Sequence, residues 1–247
     1  MSSIRVAGLS IKFRIYHDSS PSLKSFFANL FDDKRQKKYS DFIAVDNITF
    51  EINAGERVGI VGHNGAGKST LLKALCRVYE STDGLISVDG RIAPLLEIGA
   101  GFHHEFTGRE NIHLNGTIIG YTPDQLRQIE PEIIEFSELA EFIDTPVKYY
   151  STGMYMRLAF SVATAMHPDI LILDEIFAGG DAAFMNKART RMHEMIDKAN
   201  IMILVSHQHE LVTSLCNRVI WMDHGRIVAD GRPEDIVPRY LAGEMNG

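Results

Sequence analysis

The chain has 247 residues, 45% hydrophobic and 23% charged, with a net charge of −7, two cysteines without CxxC spacing and no apolar run of membrane-spanning length. That composition excludes a disordered chain, a disulfide or zinc framework and a basic nucleic-acid binder. It predicts a soluble cytoplasmic protein of one large or two small domains, with no signal peptide in MSSIRVAGLS.

An early strand is predicted at Ile4–Tyr16, where Ile11, Phe13 and Ile15 alternate with polar neighbours. Ser20-Pro21 opens an amphipathic helix carrying Leu23, Phe26, Phe27, Leu30 and Phe31, and the charged run Asp32–Lys38 after it reads as a loop. Alternation returns from Ile43 to Val61, punctuated by Asn53-Ala54-Gly55. The segment Arg57–Val61 then runs through a glycine-rich loop into a helix at Lys68–Arg77. Asp83-Gly84 and Asp89-Gly90 read as turns between strands that continue to Ile98. Residues ~108–165 read as mostly helical, and buried strands follow at Ile170–Leu173 and Ile201–Val205 with a helix between them. Val219–Met222 and Ile227–Val228 close as a hairpin around Asp223-His224-Gly225. Strands alternating with helices predict an α/β fold, its sheet mainly parallel, with a helical insertion in the middle.

The segment Gly62-His63-Asn64-Gly65-Ala66-Gly67-Lys68-Ser69-Thr70 fits G-x-x-x-x-G-K-[ST] between a strand and a helix. Glycines let the backbone turn its N–H groups around an anion, and the helix start adds free N–H groups and a positive dipole end. Lys68 supplies an ammonium for the β- and γ-phosphates, and the Ser69 hydroxyl is placed to ligate Mg²⁺. Ile170-Leu171-Ile172-Leu173 reads as a strand buried on both faces and ends in Asp174-Glu175. Asp174 there suits the Mg²⁺ shell, and Glu175 suits a role as the base that orients or deprotonates water. Another buried strand ends in Ser206-His207, which puts His207 at the same sheet edge as a γ-phosphate contact.

Gly62–Thr70, Ile170–Glu175 and His207 together resemble the nucleotide-binding subunit of an ABC transporter, over nearly the whole chain. Tyr150-Ser151-Thr152-Gly153-Met154, followed by Arg157, stands where that family carries its LSGGQ signature; Ser151 and Gly153 match, while Thr152 and Met154 depart. The Met in the last place, the block Leu95–Phe102, the block Phe106–Ile112 and the insertion at Pro21–Lys38 resemble the polysaccharide exporters of O-antigen, teichoic acid and related glycans. The resemblance implies a P-loop NTPase (RecA-like) core with an antiparallel β subdomain and a helical subdomain at about 108–165. It also implies one ATPase domain over 1–247, an insertion at about 17–42, and no room for a carbohydrate-binding domain after Gly231-Arg232-Pro233.

By the same resemblance, ATP is held by Gly62, Asn64, Gly65, Gly67, Lys68, Ser69 and Thr70, and by Ser151 and Gly153 acting in trans across a homodimer with two shared ATP sites. Glu175 and His207 are the catalytic pair, and Ser69 and Asp174 hold Mg²⁺. Glu97 is the nearest match to the Q-loop glutamine that reaches the metal. Tyr16 is the adenine-stacking aromatic, with Phe42 or Tyr39 as alternatives, and Asp181 resembles the D-loop aspartate, or is a helix N-cap. The implied partners are two copies of a separate transmembrane permease at the cytoplasmic face of the bacterial inner membrane, with no nucleic acid. Two readings of the inserted helix stay open: a satellite packed on the domain, or a contact with permease or bilayer through Lys34, Arg35, Lys37 and Lys38.

The cargo stays open too, with a lipid-linked O-antigen first and teichoic acid, capsule or another cargo behind it. Two rivals belong to other classes. A soluble ABC ATPase of DNA repair or translation would show a long coiled coil or two fused cassettes, and a small-molecule kinase would have no use for the Ser151–Gly153 cradle.

Overall fold

Strands that are apolar throughout must be covered on both faces, and in this chain two different layers cover them. The computed structural model describes residues 2–16, 39–96, 98–165, 168–174 and 182–243. Its strands are β1 Ser3–Tyr16, β2 Tyr39–Asn53, β3 Arg57–Val61, β4 Asp83–Asp89, β5 Ile92–Leu95, β6 Ile170–Asp174, β7 Ile201–Val205, β8 Arg218–Asp223 and β9 Arg226–Gly231. The helices are α1 Lys68–Leu75, α2 Gly108–Ile119, α3 Pro123–Ser137, α4 Thr152–Ala163, α5 Ala182–Lys198, α6 His209–Leu215 and α7 Pro233–Ala242.

β2, β1 and β4 form an antiparallel sheet in that order. The larger sheet runs β5-β6-β7-β3-β8-β9, parallel except for the antiparallel β8–β9 hairpin. The pleat splits each buried strand between two cores. Ile170, Ile172, Ile201 and Ile203 pack with Ile4, Leu9 and Ile52 of the antiparallel sheet. Leu171, Leu173, Met202 and Leu204 pack instead with Met192, Met195 and Trp221. Each such side chain contributes about 2 kcal/mol on burial.

β7 lies between β6 and β3. The carboxyl ends of three neighbouring strands therefore lie side by side, the edge at which open α/β sheets bind ligands. β5 is an edge strand, which is why it tolerates Pro94.

Asp83-Gly84, read as a turn, is instead the start of β4, paired with β1 at Ser10↔Asp83 across a register shift. Gly84 is left-handed (φ 82), and a Cβ there would lie 2.3 Å from the Gly8 carbonyl oxygen. The glycine serves a close approach of two strands, which sequence alone does not separate from a turn. The alternation at Ile11, Phe13 and Ile15 also fades: Ile11 is buried, Phe13 packs edge-on against Tyr79, and Ile15 is exposed. Tyr39–Phe42 begin β2, paired with Phe13–Tyr16. The predicted inserted helix and charged run lie outside the described residues.

The helical layer spans α2, α3, a 3-10 turn at Val147–Tyr149 and α4, around a core of Ile112, Ile133, Leu139 and Leu158. Two capping boxes start it: Thr107 with Glu110 on α2, and Thr122 with Gln125 on α3. Asn111 is fully buried and ties down the preceding loop, accepting from His103 N at 2.7 Å and donating to the carbonyls of His103, Phe106 and Thr107. Arg109 pairs with Asp144 and Glu130. The Phe106–Ile112 block is thus a structural clamp. Among the described residues, no helix is long and apolar enough to cross a membrane.

Candidate nucleotide site

The loop after β3 is shaped by backbone closeness. A Cβ on Gly62 (φ 153) would lie 2.2 Å from the Met222 carbonyl oxygen, and one on Gly67 (φ 98) would lie 2.4 Å from that of Ala44. The β8–β9 turn fastens the loop from outside: Gly225 N donates to Ala66 O at 3.0 Å, and Gly225 O accepts from Asp46 N at 2.9 Å. Neither Ala44 nor Gly225 is singled out by sequence. The only signal was the His224-Gly225 turn, with φ of 45 and 77, and nothing local places that turn beside the loop.

Gly67 caps α1 without a side-chain hydrogen bond, so the first-turn N–H groups of that helix have no intrahelical acceptor. Lys68 is buried and donates to the carbonyls of Gly62 at 2.6 Å and His63 at 3.0 Å, which holds its ammonium inside the loop. A cavity of about 560 Å³ opens at this point. Of the predicted residues, Asn64, Gly65, Gly67, Lys68, Ser69, Thr70, Asp174 and His207 line it together. Asp174 is there because it ends β6 opposite Val205, itself a wall residue, two positions before His207.

Phe42, Ala44, Ala66 and Leu96 complete the wall. Phe42 is 51% exposed and lines the cavity, and the Tyr16 backbone ends β1, paired with Tyr39. Gly62 lies buried just behind the lining, and Glu97, Glu175 and Asp181 lie outside the described residues. Free helix-start N–H groups, a buried ammonium, a hydroxyl and a carboxylate on one cavity are the donor set that a nucleoside triphosphate with a divalent cation requires.

The second predicted cradle is not part of this wall. Ser151 is exposed and caps α4, accepting from Met154 N at 3.2 Å. A Cβ on Gly153 would meet nothing nearer than Ser151 Oγ at 3.9 Å, which leaves that helix start open to approach. One and a half turns along the helix, Arg157 pairs with Glu138, which also accepts from Lys187 of α5. Tyr155 of α4 donates to Gly99 O at 2.9 Å, and Asn115 donates to Ala100 O at 2.8 Å. Two helices thus hold the loop after Leu96. Leu96 also walls an apolar groove of about 460 Å³, with Val78, Pro94, Ile98 and Ile118.

A phosphate loop, an acidic strand end and a histidine one strand over, on a parallel sheet, define a P-loop nucleotide hydrolase. The ABC transporter family model matches residues 45–178. The O-antigen export system ATP-binding protein RfbB of Myxococcus xanthus is 44% identical over 94% of this chain, which spans 53% of that protein's length. RfbB of Klebsiella pneumoniae is 39% identical over 96% of both chains. The teichoic acids export ATP-binding protein TagH of Lactococcus lactis is 42% identical over 83% of this chain and 44% of its own length. A solved ATP-binding subunit of an ABC transporter shares the fold with a TM-score of 0.67 at 22% identity, covering 99% of this chain and 95% of the other. The chain belongs to the ABC transporter family, as an ATP-binding subunit with the ATPase fold.

Proposed function

We propose that this chain is the ATP-hydrolysing motor subunit of a transporter that exports a lipid-linked polysaccharide such as O-antigen across the cytoplasmic membrane. The observation that carries the motor reading is one cavity ringed by Lys68, Ser69, Asp174 and His207 whose wall residue Leu96 also walls the apolar groove. The polysaccharide reading is supported by the likeness to RfbB over nearly the whole chain.

In this reading the loop N–H groups and Lys68 hold the β- and γ-phosphates, and Tyr16, or Phe42 as the alternative that lines the cavity, stacks on the adenine. Ser69 and Asp174 hold Mg²⁺, with Glu97 as the further candidate, and that ion neutralises charge on the phosphate oxygens. Glu175 orients the attacking water and takes its proton, while His207 contacts the γ-phosphate. Ser151 and Gly153 face the γ-phosphate of a second copy, so two ATP molecules close a homodimer. Asp181 faces the partner across that interface. The apolar groove takes a segment of a separate permease, two copies of which hold the chain at the cytoplasmic face.

The test is Lys68→Ala in the native host. Lipid-linked polymer should accumulate inside while the corresponding surface glycan disappears; normal surface glycans in a host without a second exporter would sink the reading. The likeness to TagH favours teichoic acid as the second cargo, and the polymer that accumulates distinguishes the two.

A further inference from the structure

Tyr240, in the last turn of α7, joins three rings at the nucleotide edge. The His63 ring, one residue into the phosphate loop, lies 5.5 Å from it between centroids. His209, the first residue of α6 and two beyond His207, meets it edge-on at 5.4 Å, and Trp221 of β8 does so at 5.5 Å. The topology brings these together, because β7, β3 and β8 are consecutive in the sheet and Val61 faces Trp221 in register. Each of the three rings therefore sits at the same end of a neighbouring strand.

Two of these contacts reach the chemistry in one step. The His63 carbonyl accepts from Lys68 Nζ and from Ala66 N, both at 3.0 Å, so fixing His63 fixes an acceptor of the phosphate-binding lysine. On the other loop, Ser206 Oγ accepts from Gln208 N at 3.0 Å, and His209 then anchors the segment that carries His207. His209 Nδ1 and Trp221 Nε1 are buried without a hydrogen-bond partner among the described residues. Both rings meet Tyr240 edge-on, and for Trp221 this contact adds to its packing in the core.

We infer that Tyr240 is a positioning residue for ATP hydrolysis, which sets the phosphate loop through His63 and the His207 segment through His209. The last helix is thereby coupled to the nucleotide. This rests on the reading of Lys68 and His207 given above. The phosphate loop is also pinned by Met222, Ala44 and Gly225, so binding should depend on Tyr240 less than turnover does.

The experiment is steady-state ATP hydrolysis and tryptophan emission on the full chain with MgATP; Trp221 is the single tryptophan, so the emission reports this cluster alone. Tyr240→Phe keeps the ring and should hold kcat and KM within about twofold. MgATP should change Trp221 emission in the wild type, and Tyr240→Leu should abolish that change, lower kcat about tenfold and raise KM less. His63→Ala should raise KM at nearly constant kcat, and His209→Ala should lower kcat at nearly constant KM. That split tests the role even where Tyr240→Leu fails to fold. A folded Tyr240→Leu protein with wild-type kcat and wild-type emission response overturns the inference, as do His63 and His209 variants that shift the same constant or neither. A wild-type chain that neither binds nor hydrolyses ATP would sink the function reading itself, a result distinct from a working enzyme indifferent to Tyr240.

Discussion

The nucleotide edge and the helical layer are held together by different means. At the edge, backbone meets backbone: Gly62 of the loop after β3 under Met222 of the parallel neighbour β8, Gly67 against Ala44 of the antiparallel sheet, and Gly225 of the β8–β9 turn bonded to Ala66. In the helical layer side chains do the holding. Asn111 ties a loop, Arg109 pairs two acids, and Phe136 of α3 packs against Phe160 and Phe184 under Lys187 and Arg191. Side chains at the sheet edge can therefore change chemistry without moving the loop, whereas the layer is attached by contacts that single substitutions remove.

The sharpest way to break this contrast is a pair of glycine substitutions. Gly67→Ala forces a Cβ into a backbone oxygen at positive φ and should cost about 3 kcal/mol, with loss of nucleotide binding. Gly153→Ala meets only Ser151 Oγ, at ordinary contact distance, and should leave the melting temperature nearly unchanged. Equal thermal shifts in the two variants would erase the distinction. Next comes chemistry without displacement. Lys68→Ala should lower ATP turnover by about 100-fold or more with the fold intact, as measured by hydrolysis alongside circular dichroism. Ser151→Ala should leave ATP binding to the monomer unchanged and weaken ATP-driven dimerisation, as read by light scattering.

Within the helical layer, Asn111→Leu leaves buried carbonyl and N–H groups unpaired and should destabilise by about 2 kcal/mol in denaturant unfolding. Tyr155→Phe removes one bond to Gly99 and should cost about 1 kcal/mol, or about 3 °C.

The smallest effect is on pH dependence, and on the sheet side it begins with the two thiols. Burial pushes the Cys76 thiol up to about 11 and the Cys216 thiol up to about 12. Both folded values lie above the unfolded one of about 8.5. The folded state therefore keeps its protons longer, and the stability present below that value is lost as pH rises through 11 to 12. Unfolding midpoints should be flat to about pH 8.5 and then fall; a midpoint that rises there would contradict the burial of both thiols.

Much of the sheet was legible because apolar runs such as Ile170–Leu173 and Ile201–Val205 have one way to be buried, and because the phosphate loop compresses its chemistry into nine consecutive residues, Gly62–Thr70. Asp174 and His207 were legible as strand ends. Gly84 was misread because a glycine needed for a close strand approach has the same local signature as one needed for a turn. Phe42 stood only as an alternative to Tyr16, since the segment between β1 and β2 hides the register in which Phe13 pairs with Phe42. The Phe106–Ile112 block stood out as a resemblance, yet its role as a clamp appears only when Asn111 is seen among three carbonyls.

The sequence by itself determined the class of chemistry, because phosphate binding needs a short run of glycines, one lysine and one hydroxyl with a strand before and a helix after. Tertiary structure alone decided what supports that run: the Ala44 and Met222 carbonyls, the Gly225 turn and the Tyr240 ring. These come from segments far apart along the chain, and close packing fixes their positions without leaving a pattern that neighbouring residues could show. Tertiary structure also decided that Ser151 lies outside the cavity of its own chain, since where a helix start faces depends on how its layer docks on the sheet.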